Sequence, residues 1–183
     1  MLRKLFGRSE NAGRTAAISL YEQIVAAARQ PAFYAHWNVP DTPIGRFEMI
    51  SVHMVLFLHR IRGEAGDLQR IAQILTDEFF LDVDHSLREL GISDVGVPKR
   101  IKKLARMFFG RARSYSDALD SGDQVALAAA IARNVRPDVT DWAETPAIAD
   151  YMRRASNYLA SQPLTAFAEG QVRFGSVLEE IET

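Results

Sequence analysis

The chain has 183 residues and a formal net charge of -1, with 48% hydrophobic residues and no cysteine. That is enough apolar material for one packed domain and too little length for two, and it rules out a disordered polyelectrolyte, disulfides, thiolate metal sites and cysteine nucleophiles. The most apolar run, MISVHMVLFL at 49–58, is too short for a bilayer span of roughly 20 residues, and no secretory signal is present; a cytoplasmic protein is expected.

The first residues, 1–13, read as a basic tail ahead of a helical domain at 14–183. Helical spacing begins at about Thr15 and stops at Pro31, before an aromatic loop, FYAHWNVPDTP. Thr42 is suited to cap a second helix, with Pro43 at its first position, running to about Arg62. Its middle is apolar on most sides, as a central bundle helix requires. Gly63 and Gly66 break the pattern, and a third helix spans about Asp67–Leu90, with a bend expected near Phe80. Pro98 opens a fourth helix that ends at Ser121-Gly122. A fifth covers about Asp123–Asn134 and a sixth runs from Thr145 to about Ala160, closed by Pro163. A last helix is expected near Phe174–Ile181. No alternation of period two occurs, so the fold class is all-α: a single compact bundle of about six or seven helices.

Charge is concentrated in the fourth helix. Seven of the 22 basic residues fall within 98–113, without one acid. At about 100° per residue, Lys99, Lys102, Lys103, Arg106 and Arg113 share one face. Ile101, Leu104, Ala105, Phe108, Phe109, Ala112 and Tyr115 are assigned to the other, with Arg100 and Arg111 at the flank. The cationic strip of Lys99, Arg100, Lys102, Lys103 and Arg106 is read as a partner-binding surface, against the plainer reading of a solvated helix face. Anionic lipid, a phosphate backbone or an acidic protein would suit it. DNA is not expected, because no recognition helix follows and no aromatic ladder interleaves the cations.

An acidic cluster precedes the strip. Asp77, Asp82 and Asp84 are assigned to a second partner surface, and some acids in this segment are expected to pair with Arg88. Glu78, Asp82 and His85 have the spacing of half a carboxylate metal site, but no second Glu-x-x-His supplies the other half, so no metal or cofactor is expected. There is no glycine-rich phosphate loop and no nucleophile elbow, hence no catalytic residue is assigned. Phe33, Tyr34, Trp37, Met49 and Met54 form a candidate apolar groove for a client, against the plainer reading of core filling.

The order of these features resembles the ubiquinol–cytochrome c chaperone family, from the F-Y…W loop and FEMISVHMVLFLHRIR to LTDEFFLDVDHSLRELGISDVGVPKRIKKLARMFFGR. The likeness covers roughly residues 33–134. It implies a non-catalytic assembly chaperone, a bacterial member, that binds newly made cytochrome b and promotes bc1 complex assembly. Further partners implied are a small partner protein, the ribosome or the inner-membrane surface, with peripheral attachment to its cytoplasmic face. The alternative reading is an RNA- or ribosome-binding helical protein acting through residues 99–113.

Overall fold

A computed structural model describes residues 2–177, with side chains from residue 11 onward. Among these residues there are eight helices: α1 Leu2–Ala28, α2 Pro31–Ala35, α3 Pro43–Arg60, α4 Asp67–Glu89, α5 Val97–Ser121, α6 Gln124–Val135, α7 Thr145–Ser161 and α8 Leu164–Ala168. Three features differ from the sequence expectation. Helix α1 starts at Leu2, so the segment expected as a tail continues the first helix; nothing before Thr15 breaks the pattern except glycine, whose helical cost is about 1 kcal/mol. The aromatic loop contains a short helix, α2, opened by Pro31 at its first turn. Helix α4 runs unbroken through Phe80. The helix expected near 174–181 is not formed in its described half: residues 174–177 are irregular, with Gly175 at φ +82°, and the other half lies outside the described residues.

Helix α3 is the axis of the bundle, packed by α1, α5, α6 and α7. Every residue from Phe47 to Phe57 is buried. Thr42 caps its start, with Oγ1 accepting from the Gly45 amide at 3.1 Å. At Gly45 the chain turns back so tightly that a Cβ would stand 1.8 Å from the Pro40 carbonyl oxygen. Its far end is tied to α5 by Asp120, which accepts from both Arg62 guanidinium nitrogens at 2.9 and 3.0 Å and lies 2.9 Å from His59 Nε2. Arg60 donates to the carbonyls of Leu159 and Gln162, satisfying the end of α7, and lies over the Phe167 ring.

Two buried polar pairs tie the core together. His53 sits among the rings of Phe33, Tyr151 and Phe174. Its Nδ1 is 2.8 Å from the Met49 carbonyl, which can only accept, so Nδ1 carries the proton. Nε2 then accepts from the Tyr151 hydroxyl at 2.8 Å. Burial lowers the imidazole pKa to about 4, and the Met49 carbonyl offsets part of the shift. Glu48 of α3 receives two bonds from Arg111 of α5, Nε to Oε2 at 2.5 Å and Nη2 to Oε1 at 2.6 Å. Burial raises the Glu48 carboxyl to about 7, against the opposing pull of Arg111.

The segment after α8 is clasped to α1. Ser19 Oγ and Gln23 Nε2 both donate to the Gly170 carbonyl, at 3.0 and 2.7 Å, and Gln23 Oε1 accepts from the Val172 amide at 3.0 Å. Gly170 adopts φ +80° with a Cβ position only 3.0 Å from the Ala16 Cα, so only glycine permits this approach.

Candidate docking groove and basic face

The aromatic and methionine residues expected to line a client groove are mostly core. Phe33, Trp37, Met49 and Met54 are buried. The reason is α2, which lays Phe33 edge-on to His53 and Tyr151, while the Trp37 carbonyl accepts from the buried Trp142 indole at 3.1 Å. Met49 and Met54 lie in the stretch of α3 that is enclosed on all sides. Tyr34 is half-buried and donates to the Ala28 carbonyl at 3.0 Å.

An open groove lies elsewhere, where the start of α3 meets α4 and α5. Its volume is about 480 Å³. Phe47 and Ile50 of α3, Phe79, Val83 and Leu87 of α4 and Leu104 of α5 form an apolar floor. Ile44 and Leu90 stand on its edge, 54% and 56% exposed, and extend the apolar surface toward solvent. The rim is charged: Arg29, Asp41, Arg46, Asp82 and Glu89. Asp41 accepts from Arg46 Nε at 2.7 Å, and Asp82 accepts from the Tyr21 hydroxyl at 2.7 Å. Burial, together with that bond, holds the Tyr21 hydroxyl far above its ordinary pKa. The groove thus offers open apolar surface ringed by charges of both signs, of which Asp41, Arg46 and Asp82 are already bonded within the chain.

The acidic cluster is divided among separate jobs. Asp82 belongs to the groove rim, while Asp77 accepts from Gln73 Nε2 at 3.0 Å on the outside of α4. Asp84 accepts from Arg88 Nε at 2.6 Å, and Arg88 also reaches Asp94. The expected pairing with Arg88 is therefore present, and it depresses the Asp84 carboxyl. Glu78 faces Arg14 at 3.6 Å. Among the described residues no group of three or more His, Asp or Glu is placed to hold a metal ion.

On α5 the division into two faces holds, with one exchange. Val97, Leu104, Phe108, Arg111, Tyr115 and Ala118 are buried, and Lys99, Lys102 and Arg106 are among the outward residues. Phe109, assigned by sequence to the inner face, is 59% exposed. The helical step explains the correction: Phe109 lies about 20° from Lys102 and about 100° from Phe108 around the axis. Arg111, placed at the flank, is buried against Glu48. Phe109 is braced by Phe108 at 5.4 Å and Phe80 at 6.4 Å between ring centroids. Phe108 packs on Phe79, which stacks on Phe47 of the groove floor, so a row of rings runs from the groove to the cationic face.

With this geometry in hand, comparison with known proteins is decisive about the family. The ubiquinol-cytochrome C chaperone model matches residues 35–174, further than the likeness read from sequence. The chain belongs to the ubiquinol–cytochrome c chaperone family. A solved structure, a crystal structure of the Cbp3 homolog from Brucella abortus, is 50% identical, with a TM-score of 0.91 over 98% of this chain and 99% of that one. Ubiquinol-cytochrome-c reductase complex assembly factor 1 of Xenopus laevis is 22% identical over 80% of this chain and 73% of its own length. The Drosophila melanogaster assembly factor 1 is 23% identical over 81% of this chain, which spans 59% of that protein. Apart from Arg29, the groove and the basic face both lie inside the residues matched by the chaperone-family model. No helix among the described residues is long and apolar enough to cross a membrane.

Sequence reasoning missed the groove because its walls come from three segments, around Ile44, Leu90 and Leu104, that only the fold brings together. The signal that could have found its rim was a large apolar residue at each of two helix ends, Ile44 at the start of α3 and Leu90 just past α4. The Glu48–Arg111 pair had a clearer signal: an acid inside an otherwise apolar helix requires a partner.

Proposed function

We propose that this chain is a non-catalytic assembly chaperone that binds newly made cytochrome b and promotes assembly of the bc1 complex, at the cytoplasmic face of the inner membrane. The observation that carries the reading is the match of the chaperone-family model across residues 35–174. The names of the frog and fly relatives support the same role. The groove between α3, α4 and α5 supplies what such a role needs physically. It offers an apolar floor with exposed Ile44 and Leu90 at its edge, able to shield a hydrophobic client segment, and a charged rim that keeps the surface around it hydrated. Binding there requires no bond chemistry, only reversible burial of apolar surface.

The test is genetic and spectroscopic. Deleting the gene should remove most ubiquinol–cytochrome c reductase activity and the cytochrome b absorbance of membranes. Wild-type protein restores both, and Ile44→Gln with Leu90→Gln restores them poorly while folding normally. Unchanged bc1 content in the deletion strain would sink the proposal. Full rescue by the double variant would remove the groove from it.

A further inference from the structure

Among the described residues, five cations in the first turns of α5 have no carboxylate at ion-pair distance, Lys99, Lys102, Lys103 and Arg106 on its outer side and Arg100 on its flank. Arg14, Arg46, Arg62, Arg70, Arg88, Arg111, Arg113, Arg136 and Arg153 each face a carboxylate. Lys99, Arg100, Lys102, Lys103 and Arg106 do not; the other described cations outside an ion pair, Arg29, Arg60, Arg133 and Arg173, lie singly on other segments, so only the start of α5 gathers several together. The exposed Phe109 stands in the same row. Residues 102, 106, 109 and 113 follow one another at helical spacing along the outermost line of α5. Phe109 is not a loose side chain: Phe80 and Phe108 hold it from beneath, so its ring is presented at a fixed place among the cations.

We infer that the outer face of α5 is a docking surface for an anionic lipid bilayer, with the cations on the headgroups and Phe109 inserted as a wedge between them. Three features favour lipid over other anionic partners. A single projecting ring on a convex helix fits any fluid interface, whereas a protein partner would need a matching pocket. Single-stranded nucleic acid is bound through repeated stacking platforms, and this face offers one ring. Weak membrane binding becomes stable when two independent signals combine, charge and an apolar insertion, and both are here on one rigid line. The surface is distinct from the client groove; the inference rests on the inner-membrane location in the proposed function and deepens it by naming the face that touches the lipid.

Flotation of the full chain with vesicles tests it. Binding is expected to vesicles of phosphatidylcholine with phosphatidylglycerol, not to phosphatidylcholine alone, and to weaken as salt is raised. Lys102→Glu with Arg106→Glu should lower partitioning by at least about 25-fold, taking about fivefold for each cation. Phe109→Ser leaves charge intact and should lower it by about fivefold, corresponding to partial burial of the ring. In a Phe109→Trp variant the added indole should shift its emission to the blue on anionic vesicles; Trp37 and Trp142 are buried and supply a constant background. Thermal melts of each variant confirm folding, and Lys102→Gln with Arg106→Gln repeats the charge test without reversal. The inference is overturned if the wild type ignores anionic vesicles at low salt. It is equally overturned if the charge and serine variants bind like wild type, or if the emission of the Phe109→Trp variant does not move. Retention of an RNA homopolymer without vesicle binding would overturn it in favour of RNA. Ile44→Gln with Leu90→Gln should leave vesicle binding unchanged, which separates failure here from failure of the chaperone reading.

Discussion

The two sides of helix α5 carry the same kinds of residue and put them to opposite uses. Inside, Arg111 is locked onto Glu48 and Phe108 is enclosed by Phe79 and Phe80. Outside, Arg106 has no carboxylate partner among the described residues, and Phe109, one residue along from Phe108, projects into solvent. Charge and aromatic area therefore say nothing about role until the helical phase is known. The inner set is committed to the fold, where desolvation makes every unpaired group expensive. The outer set contributes little to the fold and is free to meet something else.

Breaking the inner pair should give the largest effect. Arg111→Met alone leaves the Glu48 carboxyl buried without its partner, forcing it to take up a proton or stay charged in the core, and should cost about 3–5 kcal/mol by chemical denaturation. Replacing both, Glu48→Leu with Arg111→Met, should recover most of that loss; a double variant as unstable as the single one would show that the pair positions α3 on α5 in some further way. Next, Phe108→Ala should cost about 3–5 kcal/mol through the cavity it leaves, whereas Phe109→Ala should fall near 0.5 kcal/mol, about the scale of a surface change. Equal losses at the two positions would erase the contrast between the faces.

A pH experiment sharpens the same point for a buried neutral group. The folded His53 pKa, about 4, is below the ordinary 6.5, so in that window the unfolded chain binds the proton first. Its contribution is complete above pH 6.5 and is lost as the solution is acidified, by up to about 3 kcal/mol at pH 4. Glu48 has the opposite sign: its raised pKa makes its contribution grow as pH falls from 7 toward 4.5. The comparison should therefore be between wild type and His53→Phe with Tyr151→Phe, in which the Glu48 contribution cancels. The stability difference should change steadily between pH 6.5 and 4, and a flat difference would mean that His53 is protonated in the fold. The smallest stability effect is expected from charge reversal at Lys99, Lys102, Lys103 and Arg106 together, within about 0.5 kcal/mol; a large loss would show that the strip serves the fold.

Much of the helical order is legible in local chemistry. Thr42-Pro43, Ser121-Gly122 with Asp123, and Thr145-Pro146 mark helix ends that depend on neighbouring residues alone, and the structure places caps or boundaries there. Phe109 is misassigned by spacing because four apolar residues within Ala105–Phe109 cannot all face inward on one helix, and composition does not say which one is left out. The packing of Trp142 against Trp37 and of Arg111 against Glu48 joins residues far apart in sequence, which periodicity cannot register. The groove is of the same kind: each wall looks like an ordinary helix face until the three are assembled.

The clasp between Gln23 and the Gly170–Val172 backbone bears on the order of events during synthesis. Its two halves are separated by nearly the whole domain, so a nascent chain leaves one side of α1 open until residues 170–172 have left the ribosome. Phe174, which closes over His53, arrives later still. Earlier helices can pair as they emerge, but the core is sealed only after the last of these residues is made, so for most of its synthesis the chaperone is itself an unfinished hydrophobic chain.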